Sequence, residues 1–173
     1  SDVDKRQPVA YSIAKYNSIL VEAIVCIFLL LGGTNFIIYH KIILKRNFKS
    51  LIHDEEFKFY IFIILISVVM LMIWGRIPGS FFTALRSSIF QVASTMTTAG
   101  FVNNFDYDAW SIAAKVILIL LMTIGGCTGS TGGGIKVGRL LIVLKYTYNE
   151  LMRSLHPKAV MAVKIGDQVV KEN

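Results

Sequence analysis

The chain has 173 residues, 54% of them hydrophobic and 17% charged, with a mean hydropathy of +0.60 and a formal net charge of +7. Soluble domains of this size seldom carry long stretches without charge, yet 23–39 and 59–75 are uncharged runs of 17 residues and 116–135 is one of 20. Each run approaches the roughly 20 residues that a helix needs to cross a bilayer core about 30 Å thick, which excludes a soluble globular domain and makes the basic excess a matter of topology rather than of nucleic-acid binding.

A first helix is predicted over about 19–39, running inward. Glu22 falls near its outer end and reads as a solvated interfacial carboxylate, favourable at a helix N-terminus. Cys26 in this helix and Cys127 further on read as small packed residues, since their spacing suits neither a metal nor a disulfide framework. Residues 40–56 form a link bearing Lys41, Lys45, Arg46 and Lys49, placed in the cytoplasm by the positive-inside rule. His53-Asp54-Glu55-Glu56 closes the link. It reads as capping chemistry in preference to a metal site: Asp54 suits an N-cap, and Glu55 and Glu56 suit the first turn of an outward helix over about 55–75. The stretch GRIPG, 75–79, ends that helix.

Residues 80–96, SFFTALRSSIFQVASTM, have a helical pattern but are too short and too polar to span. A re-entrant pore helix is therefore predicted over about 83–96, about 21 Å long, with its partly negative C-terminal end at mid-membrane depth. The return path starts at Thr97, Thr98, Ala99, Gly100 and Phe101. Non-helical backbone at that depth is tolerated only where protein covers it or where it lines a wet cavity. Carbonyls of this segment are thus candidate ligands that replace the hydration shell of a cation, and Gly100 permits torsions closed to other residues. Asp106 and Asp108 read as a solvated outer loop in preference to a cation-attracting mouth.

The third apolar segment is interrupted. Nine apolar residues, 116–124, run into GGCTGSTGGGIK at 125–136, and six glycines in twelve residues cannot sustain a regular helix. A broken inner helix over about 112–152 is predicted, of the kind that lines permeation paths. Its candidate gating loop comprises Gly125, Gly126, Cys127, Thr128, Gly129, Ser130, Thr131, Gly132, Gly133, Gly134 and Lys136. Lys136 and Arg139 have two readings: simple positive-inside anchoring, or orientation of the loop and contact with regulatory subunits. A phosphate-cradling loop is the weaker alternative. Val137 follows Lys136 and no glycine immediately precedes it, so G-x-x-x-x-G-K-[ST] is not met. No general base or acidic partner accompanies the loop, and no enzyme is expected.

An internal repeat favours the pore. IVCIFLLLGGTN, 24–35, lies on VILILLMTIGGCTG, 116–129, with Gly32-Gly33 matching Gly125-Gly126 and a basic, leucine-rich segment after each. The expected division is 1–53 as the end of one repeat, 54–152 as a complete helix–pore loop–helix repeat, and 153–173 as a cytoplasmic link onward. One such unit cannot enclose a pore, so the chain is expected to be an excerpt of a longer polypeptide.

TTAGF after a short pore helix, then LLMTIGGCTGSTGGGIKVGRLLIVLK and LHPKAV, together with YNSILVEAIVCIFLLLGGTNF and HDEEFKFY, resemble the membrane subunit of bacterial Trk-type potassium uptake systems, in the Trk/Ktr/HKT superfamily. The resemblance covers nearly the whole chain. It implies an all-α membrane protein with four helix–pore loop–helix repeats per polypeptide, a homodimer, cytoplasmic nucleotide-binding regulatory subunits, and residence in the bacterial cytoplasmic membrane. It implies that Gly100 is the filter glycine of the third repeat and that 125–134 obstruct the pore below it. Potassium is then the substrate, moved by passive or gradient-coupled permeation, with no cofactor in this chain. A sodium-permeable relative is the alternative within the superfamily, and serine at the filter glycine would suit it; this chain has glycine.

Overall fold

Of the three apolar runs, one forms a continuous helix and two break at paired glycines. A computed structural model describes residue 13 and residues 18–45, 54–75, 80–102, 110–155, 164–165 and 168–169. The first run forms α1, Ile19–Gly32, and α2, Phe36–Lys45, whose axes differ by 94°. The single helix expected over 19–39 is thereby corrected to two arms. Local hydrogen bonds explain the break. Gly33 N–H donates to Leu29 O at 3.0 Å, and the Thr34 amide and hydroxyl donate to Leu31 O at 3.1 and 2.6 Å. Asn35 Oδ1 then accepts from Ile37 N–H at 2.9 Å. Short polar side chains that bond nearby backbone in this way compete with helix propagation. Gly33 also leaves room for a neighbour: a Cβ there would lie 2.9 Å from Thr97 Cγ2 and closer still to the Tyr60 hydroxyl.

The second run forms α3, Glu55–Trp74, which is about 30 Å long and lacks any glycine until Gly75 ends it. Asp54 caps it as expected, Oδ1 accepting from Phe57 N–H at 2.8 Å. Loss of that cap in Asp54→Ala is expected to lower stability by about 1 kcal/mol, measurable as a lower midpoint of thermal unfolding in detergent for the full-length protein.

Next comes α4, Phe81–Met96, begun by the Ser80 hydroxyl, which accepts from Thr83 N–H at 3.4 Å. This cap explains a start two residues before the predicted one. The helix is too polar to face lipid along its length, and its second half is covered: Ser87, Ser88, Val92, Ala93 and Met96 are buried, and α1, α3 and α5, Ile112–Thr123, pack around it. The Ser111 hydroxyl accepts from Ala114 N–H at 3.2 Å at the start of α5 and donates to Trp74 O, joining that end to the end of α3. After the glycine-rich interruption, α6, Val137–Leu155, returns against α3.

The architecture is therefore helical, an outer helix, a short buried helix and a broken inner helix. One small addition lies in the tail, where β1, Lys164–Ile165, pairs antiparallel with β2, Gln168–Val169. By length and composition α3 is able to cross a membrane, as is the bent α1–α2 pair if it counts as one span, while α5 is shorter.

Glu22 departs from expectation. It is buried, and its Oε2 lies 2.7 Å from Nε of Arg86 on α4, with Arg86 Nη2 donating to Oε1 at 3.3 Å. A carboxylate taken out of water stays charged only with a partner, and Arg86, 64 positions along the chain, supplies it.

Candidate functional site

Where α4 ends, its last carbonyls organise the turn that follows. Thr97 N–H and Oγ1–H both donate to Ala93 O, at 3.1 and 2.7 Å. Thr98 N–H reaches Thr95 O at 3.1 Å and Ala99 N–H reaches Ser94 O at 3.0 Å. The Ser94 hydroxyl then donates to Phe101 O at 2.7 Å, tying the far end of the segment back to the helix.

Backbone torsions alternate in sign along this stretch. Thr97 has φ −82°, Thr98 +56° and Gly100 +72°, with Ala99 negative between them. In a strand, successive residues face opposite sides; reversing alternate φ values turns consecutive carbonyls toward one side instead. Left-handed torsions are unusual for a β-branched residue and cost about 1–2 kcal/mol, so something must hold Thr98. Its Oγ1 accepts from Gly133 N–H at 2.8 Å. Nothing lies within 4 Å of a Cβ built on Gly100, so that position needs glycine for its torsion and not for space. Thr97 is buried, whereas Thr98, Ala99, Gly100 and Phe101 are exposed.

The glycine-rich loop closes on itself. Gly125 N–H donates to Ile135 O at 2.9 Å and Ile135 N–H to Thr123 O at 2.8 Å, making a parallel bridge between Ile124 and Ile135. Val137 N–H adds a bond to Gly126 O at 3.2 Å, and Ser130 N–H one to Cys127 O at 3.0 Å. The two limbs come so close that a Cβ on Gly125 would lie 1.7 Å from Gly133 O. Lys136 Nζ sits inside this fold, donating to Ser130 O at 3.3 Å, to Ser130 Oγ at 3.4 Å and to Gly132 O. Lys136 thus bonds the loop's own backbone, whereas Arg139 is exposed.

Lys136→Met removes those donors while keeping most of the apolar stem. Amide hydrogen exchange across 130–134 is expected to quicken about tenfold, equivalent to about 1.4 kcal/mol, within the usual range for hydrogen bonds to a charged group. Mass spectrometry of the full-length protein in detergent reads this directly; unchanged exchange would mean that the loop holds its shape without the ammonium.

Three neighbours hold the loop. At the α1–α2 break, Cys127 N–H donates to Gly33 O at 2.8 Å, and Thr131 reaches Gly32 O through its amide at 3.3 Å and its hydroxyl at 3.1 Å. The two glycine pairs matched by the internal repeat thus meet in space. Above, Gly133 bonds Thr98, and a Cβ on Gly132 would be 3.3 Å from Thr97 O. Below, Glu56 Oε1 accepts from Thr128 N–H at 2.5 Å and from Gly138 N–H at 3.0 Å.

The sequence alone places Glu56 only in the first turn of its own helix. The available signal was redundancy: Asp54 already caps α3, which leaves a neighbouring acid for another use. Glu55 pairs with Lys145 of α6 at 2.6 Å. Asp106 and Asp108 lie outside the described residues, as does His53. Among the described residues no group of His, Cys, Asp and Glu assembles a metal site. Segments 97–101 and 125–136, separated by a whole helix in sequence, form one unit.

A family model described as TrkH, cation transport protein, matches residues 9–173. The Trk system potassium uptake protein TrkH of Salmonella typhimurium is 37% identical over 164 residues, covering 93% of this chain and 34% of that protein. The Trk system potassium uptake protein TrkG of Escherichia coli K12 is 35% identical over 167 residues, again 93% of this chain and 33% of the relative. Among solved structures, the crystal structure of the potassium transporter TrkH from Vibrio parahaemolyticus superposes with a TM-score of 0.78 at 33% identity, covering 90% of this chain and 34% of that one. The chain spans about a third of the length of the curated relatives it matches.

Proposed function

The chain belongs to the TrkH family of cation transport proteins, and from that footing we propose that it is part of a potassium uptake protein, contributing one quarter of a carbonyl filter and the loop that gates it. In this reading the carbonyls of Thr97, Thr98, Ala99, Gly100 and Phe101 take the place of the hydration shell of potassium, with the C-terminal end of α4 adding negative potential. The loop from Gly125 to Gly134, with Lys136 at its base, stands on the cytoplasmic side of those carbonyls and moves aside for the ion to pass. The observation that carries the reading is the bond from Gly133 N–H to Thr98 Oγ1: the loop abuts the segment whose torsions alternate.

The relatives are potassium uptake proteins by name, which supports potassium as the ion, and glycine at position 100 favours it over sodium. The rest of the pore is assigned to the remaining repeats of the polypeptide, and a homodimer with cytoplasmic nucleotide-binding regulatory subunits in the bacterial cytoplasmic membrane completes the proposed assembly. Expression of the full-length protein in cells lacking their own potassium uptake tests this. Growth at low potassium with uptake of potassium in excess of sodium is the expected result; sodium uptake without potassium preference would contradict it.

A further inference from the structure

The loop is held by backbone and hydroxyl acceptors at two of its three contacts, but by a carboxylate at the third. Glu56 stands in the first turn of α3, yet Asp54 already satisfies the Phe57 amide there. The Glu56 side chain turns instead to Thr128 of the loop and to Gly138, the second residue of α6. The Gly138 amide is one of the donors that a helix start leaves without an intrahelical partner, and a negative charge is favoured at that place. One oxygen therefore joins the outer helix, the loop and the start of the inner helix's second half. Both bonds are charge-assisted and so among the stronger kind.

Gly138 is what admits the carboxylate. A Cβ there would lie 2.8 Å from Glu56 Oε1 and 2.5 Å from Thr128 Oγ1. Beside Glu56, at the first residue of α3, Glu55 Oε2 lies 2.6 Å from Nζ of Lys145, further along α6. Any movement that parts the start of α3 from the first half of α6 therefore withdraws Glu56 from the loop.

We infer that Glu56 is the latch of the gate, a positioning residue that keeps the glycine-rich loop against the 97–101 segment until α3 and α6 separate. The inference rests on the proposed filter and gate, and deepens that reading by naming what holds the loop closed. Since Glu56 is 41 positions from the filter segment in sequence and bonds none of it, the latch sets how often the path opens and not which ion is chosen.

The test uses the full-length protein reconstituted in liposomes, with thallium and potassium influx as the readout, and compares Glu56→Gln, Glu56→Asp, Gly138→Ala and Gly100→Ser. Glu56→Gln keeps the shape but loses the charge, and is expected to raise basal influx about tenfold, or about 1.4 kcal/mol, with the half-saturating potassium concentration and the preference over sodium unchanged. Gly138→Ala reaches the same interaction from the other side and is expected to match it, while Glu56→Asp restores part of the closure. Influx at the original level or below in Glu56→Gln, with normal amounts of protein in the vesicles, overturns the latch, as does a changed ion preference. Gly100→Ser separates the two failures. If it alters selectivity while Glu56→Gln leaves influx untouched, only the latch is wrong; if it alters nothing, the filter reading falls and the latch with it.

Discussion

Gly100→Ser in the full-length protein is expected to reduce the preference for potassium over sodium by about tenfold or more, equivalent to about 1.4 kcal/mol or more, while leaving the protein folded and inserted. Gly100 has φ +72°, a conformation that costs a residue with a Cβ about 1–2 kcal/mol. Serine has no steric reason to be rejected, because nothing lies within 4 Å of the added carbon. The strain is instead relieved by rotation, which reorients the carbonyls of Ala99 and Gly100. If 97–101 is the proposed filter, the number and field of the carbonyls facing the ion set selectivity, and a change of this size in torsional energy is expected to act on ion choice. Paired uptake measurements with potassium and sodium read the outcome. Unchanged preference would reduce the segment to an ordinary turn.

The largest stability effect is expected at Glu22. Replacing it with leucine leaves the Arg86 guanidinium beside α1 without its carboxylate, and breaking a buried pair at one partner typically costs about 3–5 kcal/mol. Arg86 keeps 35% of its side chain exposed, so water screens part of the loss and the low end, about 3 kcal/mol, is expected. Removing both partners, Glu22→Leu with Arg86→Leu, is expected to cost less than the single change, since no charge is then left uncompensated. Thermal unfolding of the two variants in the same detergent orders them. A double variant that is less stable than the single one would mean that each residue has a separate structural task.

The parts of this fold that composition controls were legible in the sequence. Six glycines in twelve residues mark the break after Ile124 without any knowledge of the neighbours, and Asp54 behaves as a cap for reasons confined to a few residues. The break at Gly33 was obscured because uncharged sequence runs through it, although the alignment of Gly32-Gly33 with Gly125-Gly126 held the clue. Two glycines are tolerated in a helix; what prevents continuation is Thr34 and Asn35 bonding the backbone together with the approach of Tyr60 on another helix.

Charged residues were the hardest to place. Glu22 and Arg86, and Glu56 with Thr128 and Gly138, are joined across 64, 72 and 82 positions. Local pattern carries no information about such pairings, and both acids sit near helix starts, where a purely local explanation already suffices. For the candidate site, the two segments were evident one by one, from glycine content and from a helix too polar to face lipid. Their direct contact through Gly133 and Thr98 was not, because local pattern does not show which distant segment a loop packs against.

The central claim is that potassium rests on the carbonyls of 97–101, immediately above the glycine-rich loop. Anomalous scattering from crystals of the full-length protein grown with rubidium or thallium in place of potassium tests it most directly. Peaks within coordination distance of the carbonyls of Thr98, Ala99 and Gly100, on the side of Thr98 away from Gly132 and Gly133, are the predicted result. Ordered ions elsewhere along the path, with none beside this segment, would contradict it.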